Sequence, residues 1–257
     1  MEPLVDADRL AGALGDRFWT RVDAVAETGS TNADLSALAR RGAPGGAVLV
    51  ADHQTAGRGR FTRVWTAPPG DSLALSMMLR PPAAEPARWL WLPLVAGLAV
   101  VDGVRAAAGL QARLKWPNDV LVGDRKLCGI LAEQVATASG PAVVIGMGIN
   151  TRLGAADLPV PTATSLAIEG ADSDPAAVVL AVLRAFEGRY TRWLAGADLR
   201  DEYAAACATI GRRVRVDLGG GEGAEGDAVG VDADGRLLVR TASGVREFAA
   251  GDVWHLR

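Results

Sequence analysis

Within Ala142 to Asn150 large and small residues alternate strictly from Ile145 onward. Val143, Ile145, Met147 and Ile149 fall on one face of an extended chain, and Gly146, Gly148 and Asn150 on the other. This period of two predicts a strand. Glycines weaken a strand interior, so they mark a place where backbone or ligand comes close. Ser72 to Leu79 repeats the pattern, with Leu73, Leu75, Met77 and Leu79 on one face and Ser72, Ala74, Ser76 and Met78 on the other.

Other elements can be read around these two strands. Residues 1–26 carry a weak helical pattern, with Leu4, Leu10 and Leu14 among charges. Thr31 to Asp34 has the form of a capping box and opens a helix to about Arg41. Ala47 to Asp52 reads as a strand, and His53 to Pro69 as a polar Gly/Arg-rich loop. Residues 86–108 read as one long apolar helix. Asp119–Val122 and Lys126–Val135 form a hairpin around Gly123-Asp124. Helices are expected at 174–195 and 198–208. After Ile210 come short strands at 212–217, 228–232, 236–241, 245–249 and 252–256, with Gly219–Gly226 as a flexible loop between the first two. That texture predicts a small C-terminal β-barrel. The expected division is residues 1–209 and 210–257.

Composition narrows the function. A chain of 257 residues, 49% hydrophobic and 22% charged, suits one large domain or one large and one small. A net charge of -3 gives no reason for bulk electrostatic binding to DNA or to a membrane surface. The apolar stretch from Trp89 to Val101 is interrupted by Pro93 and ends at Asp102, which predicts a buried helix rather than a span. The acidic N-terminus lacks the apolar run of a signal peptide. Cys128 and Cys207 fit no zinc or redox spacing and are expected as reduced thiols in a cytoplasmic protein. Lysine occurs only at 115 and 126, against 25 arginines, and asparagine only at 32, 118 and 150. In so biased a chain these residues are expected where a substitute would fail, and all five lie in chemically suggestive segments.

Four segments carry that chemistry. Ser30-Thr31-Asn32 at a helix start is either a plain cap or a set of polar groups for a ligand. In His53 to Trp65, Gly57 and Gly59 let backbone N–H groups approach a ligand, and Arg58, Arg60 and Arg63 supply charge for a phosphate. No Walker pattern is present. In Lys115-Trp116-Pro117-Asn118-Asp119, Pro117 sets a turn, Asn118 can pair with a base edge or ribose, and Asp119 can accept from a hydroxyl or hold a hydrated magnesium ion. Lys126, followed by Gly129, can bridge a carboxylate and an α-phosphate as a compact charge. His53 and His255 have no metal-ligand partners and read as structural.

Together and in this order, the segments closely resemble those of the biotin protein ligase family, over roughly Glu27 to Asn150. The resemblance implies an α+β fold, a mixed sheet flanked by helices akin to class II aminoacyl-tRNA synthetases and lipoate ligases, with an SH3-like C-terminal barrel. It implies that Ser30, Thr31, Asn32, Gln54, Arg58, Gly59, Arg60 and Lys126 line a biotin pocket, to which the glycine-bearing strands add Gly129 and Gly148. Arg63 and Trp65 then belong to a loop that closes over the ligand, and with Lys115, Asn118, Asp119 and Asn150 they lie on the nucleotide side. Lys126, Arg58 and Arg60 are the implied catalytic charges.

The implied substrates are biotin and ATP, with Mg²⁺ carried as MgATP near Asp119, and the implied acceptor is a lysine of the biotin carboxyl carrier domain of a biotin-dependent carboxylase. Two features depart from the family pattern. Residues 1–26 are too few for the helix-turn-helix domain that some members carry, so no sequence-specific DNA binding is expected. Phe61-Thr62 stands where the loop often has a more basic, glycine-containing stretch. The alternatives are a lipoate or octanoyl ligase-transferase of the same fold and a non-catalytic biotin sensor.

Overall fold

The strand with alternating glycines lies at the centre of a seven-stranded sheet. The computed structural model describes residues 2–82 and 86–256. The strands are β1 (Arg21–Thr28), β2 (Ala47–Gln54), β3 (Ser72–Leu79), β4 (Ala112–Lys115), β5 (Asp119–Val122), β6 (Arg125–Val135) and β7 (Ala142–Asn150), in the spatial order β1-β2-β3-β7-β6-β5-β4. β1 and β2 are parallel and every other pair is antiparallel, so the sheet is mixed.

Register explains the two faces. Leu75, Met147 and Ile130 stand side by side across β3, β7 and β6, as do Leu73, Ile149 and Cys128. These rows are buried in one apolar cluster with α3 (Trp91–Ala108) and α4 (Pro175–Leu194). The close α3–α4 approach needs Gly103, where a Cβ would lie 2.4 Å from Val182 Cγ2 and 2.8 Å from its backbone nitrogen. On the opposite face α2 (Thr31–Arg40) covers only part of the sheet, packing Leu35 and Ala39 against Leu49, Met78 and Val144. The uncovered remainder of that face is where the small residues lie.

The C-terminal strands β8 (Arg213–Gly219), β9 (Glu222–Val231), β10 (Leu237–Thr241), β11 (Gly244–Phe248) and β12 (Asp252–His255) form an antiparallel SH3-like sheet ordered β11-β10-β9-β8-β12. Its apolar residues join the cluster around α3. Two indole N–H groups fasten it, Trp91 donating to Ala233 O at 2.8 Å and Trp116 to Gly235 O at 3.3 Å.

Several sequence expectations need correction. Of residues 1–26, residue 1 lies outside the described residues, and the helix is confined to α1 (Ala7–Leu14); Arg21–Thr28 is the outer strand β1. Its Ala- and Glu-containing sequence carries little strand signal, and pairing with β2 decides its conformation. The helix over 86–108 begins as a 3₁₀ segment, Pro86–Leu90, before α3. Edge strand β4 was not anticipated. Gly219–Gly226 is not a flexible loop: β8 and β9 are joined by a tight turn at Gly220-Gly221, and Glu222 to Gly226 pair with β8. The cap of α2 is Ser30, whose hydroxyl accepts from Ala33 N, not a box closed by Thr31 and Asp34. Asp34 instead accepts from the Thr28 hydroxyl.

Candidate functional site

The floor of the site is a row of residues set side by side by strand register. Ala74 of β3 faces Gly148 of β7, which faces Gly129 of β6, then Asp119 of β5 and Lys115 of β4. The next row holds Ser76, Gly146 and Leu131. Small residues at successive positions of neighbouring strands leave a trough, and the long side chains that end the row reach into it.

At one end the trough meets the N-terminus of α2, where a buried polar network forms. Gln54 Oε1 accepts from Thr31 N at 2.9 Å and from the Thr31 hydroxyl at 3.0 Å. The Ser76 hydroxyl lies 2.7 Å from both Thr31 Oγ1 and Asn32 Oδ1 and shares its single proton between them. Asn32 Nδ2 donates to Leu131 O at 3.2 Å and to Glu133 at 2.8 Å, and Glu133 also takes Arg58 at 3.0 Å. Gly146 is required beneath Asn32, because a Cβ there would lie 2.3 Å from Asn32 Oδ1. Since Ser30 supplies the helix cap, Thr31 and Asn32 are free to build this network.

The Gly/Arg-rich loop arches over the trough. It is closed on itself by Trp65 N to Gly57 O at 3.0 Å and Gly59 N to Arg63 O at 2.8 Å, with Phe61 at a positive φ of 57° in the tip. Arg60 donates to Asn118 Oδ1 at 3.1 Å and to Gly251 O at 3.2 Å, and Arg63 pairs with Asp252. Burial pulls the Arg60 pKa down, opposed by Asp252 and Asp119, and arginine remains a cation at neutral pH. The Trp65 indole lies on the floor. A Cβ at Gly148 would come within 2.4 Å of it, and one at Gly129 within 3.1 Å of both the indole and Lys126 Nζ. These glycines are therefore needed to seat Trp65 and Lys126, which in turn border the trough.

Asn118 follows the Trp116-Pro117 turn. Its amide donates to Ile130 O at 2.9 Å while its carbonyl receives Arg60, so both ends serve the protein in this conformation. Lys126 Nζ stands 2.6 Å from Asp119 Oδ1 and 5.8 Å from the Trp65 ring centre. The backbone of Lys126 is held by Thr162 O and Thr164 N at 2.7 and 2.9 Å, and Asn150 donates to Thr164 O at 2.9 Å. Buried Asn150 thus pins the segment after β7 against Lys126.

Most of these groups line one cavity of about 500 Å³, among them every site residue selected from the sequence. Sequence reasoning missed the wall contributed by the loop after β7, Pro159 to Ala163, and by Asp252, Val253 and Trp254 of the C-terminal sheet. It also missed Ser76 and Glu133 as partners of Thr31, Asn32 and Arg58. A polar residue within the small face of β3 was the available signal for Ser76; nothing local marks the others. Arg58, Arg60, Arg63, Lys115 and Lys126 outnumber the carboxylates Asp119 and Asp252 on the cavity wall, so it suits an anion, while the hydroxyl and amide groups of Thr31, Asn32 and Gln54 at the α2 end suit a hydrogen-bonding group. Neither histidine lines it. Among the described residues no group of three or more His, Cys, Asp or Glu side chains could hold a metal ion. Cys128 and Cys207 are buried free thiols.

Comparison with known proteins gives a consistent result. Residues 26–150 match the biotin/lipoate A/B protein ligase family, and residues 209–256 match the biotin protein ligase C-terminal domain. The chain is similar to the biotin–[acetyl-CoA-carboxylase] ligase of Mycobacterium tuberculosis, 42% identical across 99% of this chain and 100% of that protein. It is 35% identical to the enzyme of the same name from Paracoccus denitrificans, over 90% of this chain and 98% of that one. Its fold is similar to that of the biotin protein ligase from Aquifex aeolicus in complex with biotin and ATP, with a TM-score of 0.75 and 28% identity over 91% of this chain and 97% of that one.

Proposed function

The chain belongs to the biotin/lipoate A/B protein ligase family, and from that premise we propose how its cavity works as a biotin protein ligase. The enzyme joins biotin to ATP to make biotinyl-5′-AMP and passes the biotinyl group to a protein lysine. The observation that carries this reading is the convergence of Thr31, Asn32, Gln54, Lys126 and the loop arginines on one cavity, with hydroxyl and amide groups beside Arg58 at the α2 end and the remaining cations along the rest of its wall.

We assign the biotin ring to the α2 end. A ureido group offers two N–H donors and one carbonyl acceptor, which suits the amide and hydroxyl groups of Thr31, Asn32 and Gln54. A lipoate ring has no N–H or carbonyl group to engage these side chains. The carboxylate of biotin then points along the floor towards Lys126. ATP lies on the side of Arg63, Lys115, Asn118 and Asp119.

In the first step a biotin carboxylate oxygen attacks the α-phosphorus, the bond to the β-phosphate oxygen breaks, and pyrophosphate leaves. Two anions approach, so the chief need is positive charge fixed where the transition state develops negative charge. Lys126, Arg58 and Arg60 supply it. In the second step the neutral amine of the acceptor lysine attacks the anhydride carbonyl, AMP leaves with the electron pair, and the amine loses a proton. No covalent enzyme intermediate is required. Magnesium would enter with the phosphates; Asp119 lines the cavity and Lys126 engages only its Oδ1, so its other oxygen would be left to hold the ion, which would neutralise phosphate charge.

We assign the acceptor to the carrier domain of a biotin-dependent carboxylase, and the working compartment to the cytoplasm, where ATP is supplied and buried thiols such as Cys128 and Cys207 stay reduced. The test is pyrophosphate release from MgATP on adding biotin or lipoate, followed by transfer to a purified biotin carboxyl carrier domain. Release with biotin and not lipoate is expected. The opposite pattern would show a lipoate ligase, and binding of biotin without release would show a sensor.

A further inference from the structure

The tip of the Gly/Arg-rich loop has no apolar anchor. Phe61 is 69% exposed and Val64 71% exposed, so burial does not hold this segment down. Its polar tethers lead elsewhere. Arg60 reaches Asn118 and Gly251 O, and lies 4.0 Å from Asp252 Oδ1. Arg63 presents both terminal nitrogens to the two oxygens of Asp252, Nη1 at 3.3 Å from Oδ1. Two of the loop's arginines therefore converge on one turn of the C-terminal sheet.

That turn is rigidly placed. Asp252 opens β12, which pairs with β8 from Asp252–Asp217 to His255–Val214. Gly251 precedes it at a φ of 142°, and a Cβ there would lie 2.9 Å from Val216 Cγ1 and 3.1 Å from Asp217 O. Glycine lets the chain hug β8 and aims the Gly251 carbonyl and the Asp252 carboxylate at the loop. A charged two-point contact on a fixed strand fixes direction as well as distance.

We propose that Asp252 is a positioning residue, the latch by which the C-terminal sheet holds the arginine loop closed and so sets how long the acyl-adenylate stays bound. The role in retention rests on the ligase reading above; the role in ordering the loop does not. Asp252 acts through Arg63 and Arg60 and takes no part in bond making.

The experiment compares wild type, Asp252→Asn, Asp252→Glu, Arg63→Ala and the double variant Asp252→Asn/Arg63→Ala. Hydrogen exchange over residues 58–64 is measured without ligand, and dissociation of preformed biotinyl-adenylate is followed in a single turnover. Asp252→Asn should speed exchange in the loop but not in β8 or β12. It should raise adenylate dissociation roughly two- to tenfold, as a partly exposed charge pair allows, with a smaller change in pyrophosphate release. Asp252→Glu should recover most of the retention. The double variant should exceed Arg63→Ala by less than Asp252→Asn exceeds wild type, because Arg63 and Asp252 share one contact and only the weaker Arg60–Asp252 attraction is left to lose. Unchanged loop exchange and dissociation in Asp252→Asn, or fully additive effects in the double variant, would overturn the proposal. If wild type forms no adenylate from biotin, the ligase reading fails, and the ligand-free exchange result still decides whether Asp252 orders the loop.

Discussion

Lys126 Nζ lies 2.6 Å from Asp119 Oδ1 on neighbouring strands, so the cation that faces the cavity is held from below by a carboxylate on the same floor. The same ammonium lies 5.8 Å from the Trp65 ring centre. Lys126→Ala is expected to slow adenylate formation on the order of 10²- to 10³-fold, the usual loss when one fixed transition-state charge is removed. Lys126→Arg should not restore it, because a planar guanidinium cannot replace a compact ammonium between Asp119 and a phosphate. Pyrophosphate release by the two variants is the measurement, and near wild-type release from Lys126→Ala would refute the role.

Arg60→Gly separates chemistry from retention. The change removes contacts to Asn118 and Gly251, and a charge-assisted hydrogen bond contributes about 1.5–3 kcal/mol. It also frees the backbone of a loop that must stay ordered. The adenylate should then escape and label bystander amines. Self-labelling should stay low, since Lys115 and Lys126, the chain's two lysines, both line the cavity. Incubation with biotin, MgATP and serum albumin, blotted for biotin, reads this directly. Unlabelled albumin alongside measurable adenylate formation would mean that Arg60 is a catalytic charge and not part of the gate.

Gly148→Ala tests the floor. The added carbon would come 2.4 Å from the Trp65 indole, so the indole must move off the sheet. Binding of biotin and ATP, measured by calorimetry, should weaken about fivefold or more, since an overpacked contact costs about 1–3 kcal/mol. Gly230→Ala in β9, where nothing lies within 4 Å, is the control and should bind as wild type. Equal affinities in the two variants would show that the seat of Trp65 is irrelevant to binding.

Acid stability should carry a signature of His255. Its pKa is lowered to about 4, first by burial and then by Lys115 and Arg212, with Asp124 opposing. The ring touches the Thr209 hydroxyl at 3.0 Å and Arg212 at 3.3 Å, and Thr209 in turn accepts from Trp116 N. Between pH 6.5 and about 4 the unfolded chain binds a proton here that the folded chain refuses, so this contribution is full above pH 6.5 and declines as pH falls towards 4. The stability difference between wild type and His255→Gln, from urea unfolding at several pH values, should shrink across that window. A difference that stays constant would show that His255 does not titrate as stated.

Local pattern alone determined a good deal of this protein. The alternation in Ser72–Leu79 and Ala142–Asn150 decided two central strands and which face of each carries small residues, because a pleated chain sorts side chains by parity. The Gly123-Asp124 turn decided the β5–β6 hairpin, and the scarcity of lysine and asparagine drew attention to Lys115, Lys126, Asn32, Asn118 and Asn150, all of which line the cavity. Tertiary structure decided the rest. β1 became a strand only by pairing with β2, and Gly146 and Gly148 acquired their purpose only when Asn32 and Trp65 were laid over them. Glu133 reaches Asn32 across 101 positions of chain, and Asp252 reaches Arg63 across 189. No local period encodes such pairs. They are set by strand register and by the docking of one sheet on another, where burial of apolar area chooses the arrangement and polar partners are then fixed by position.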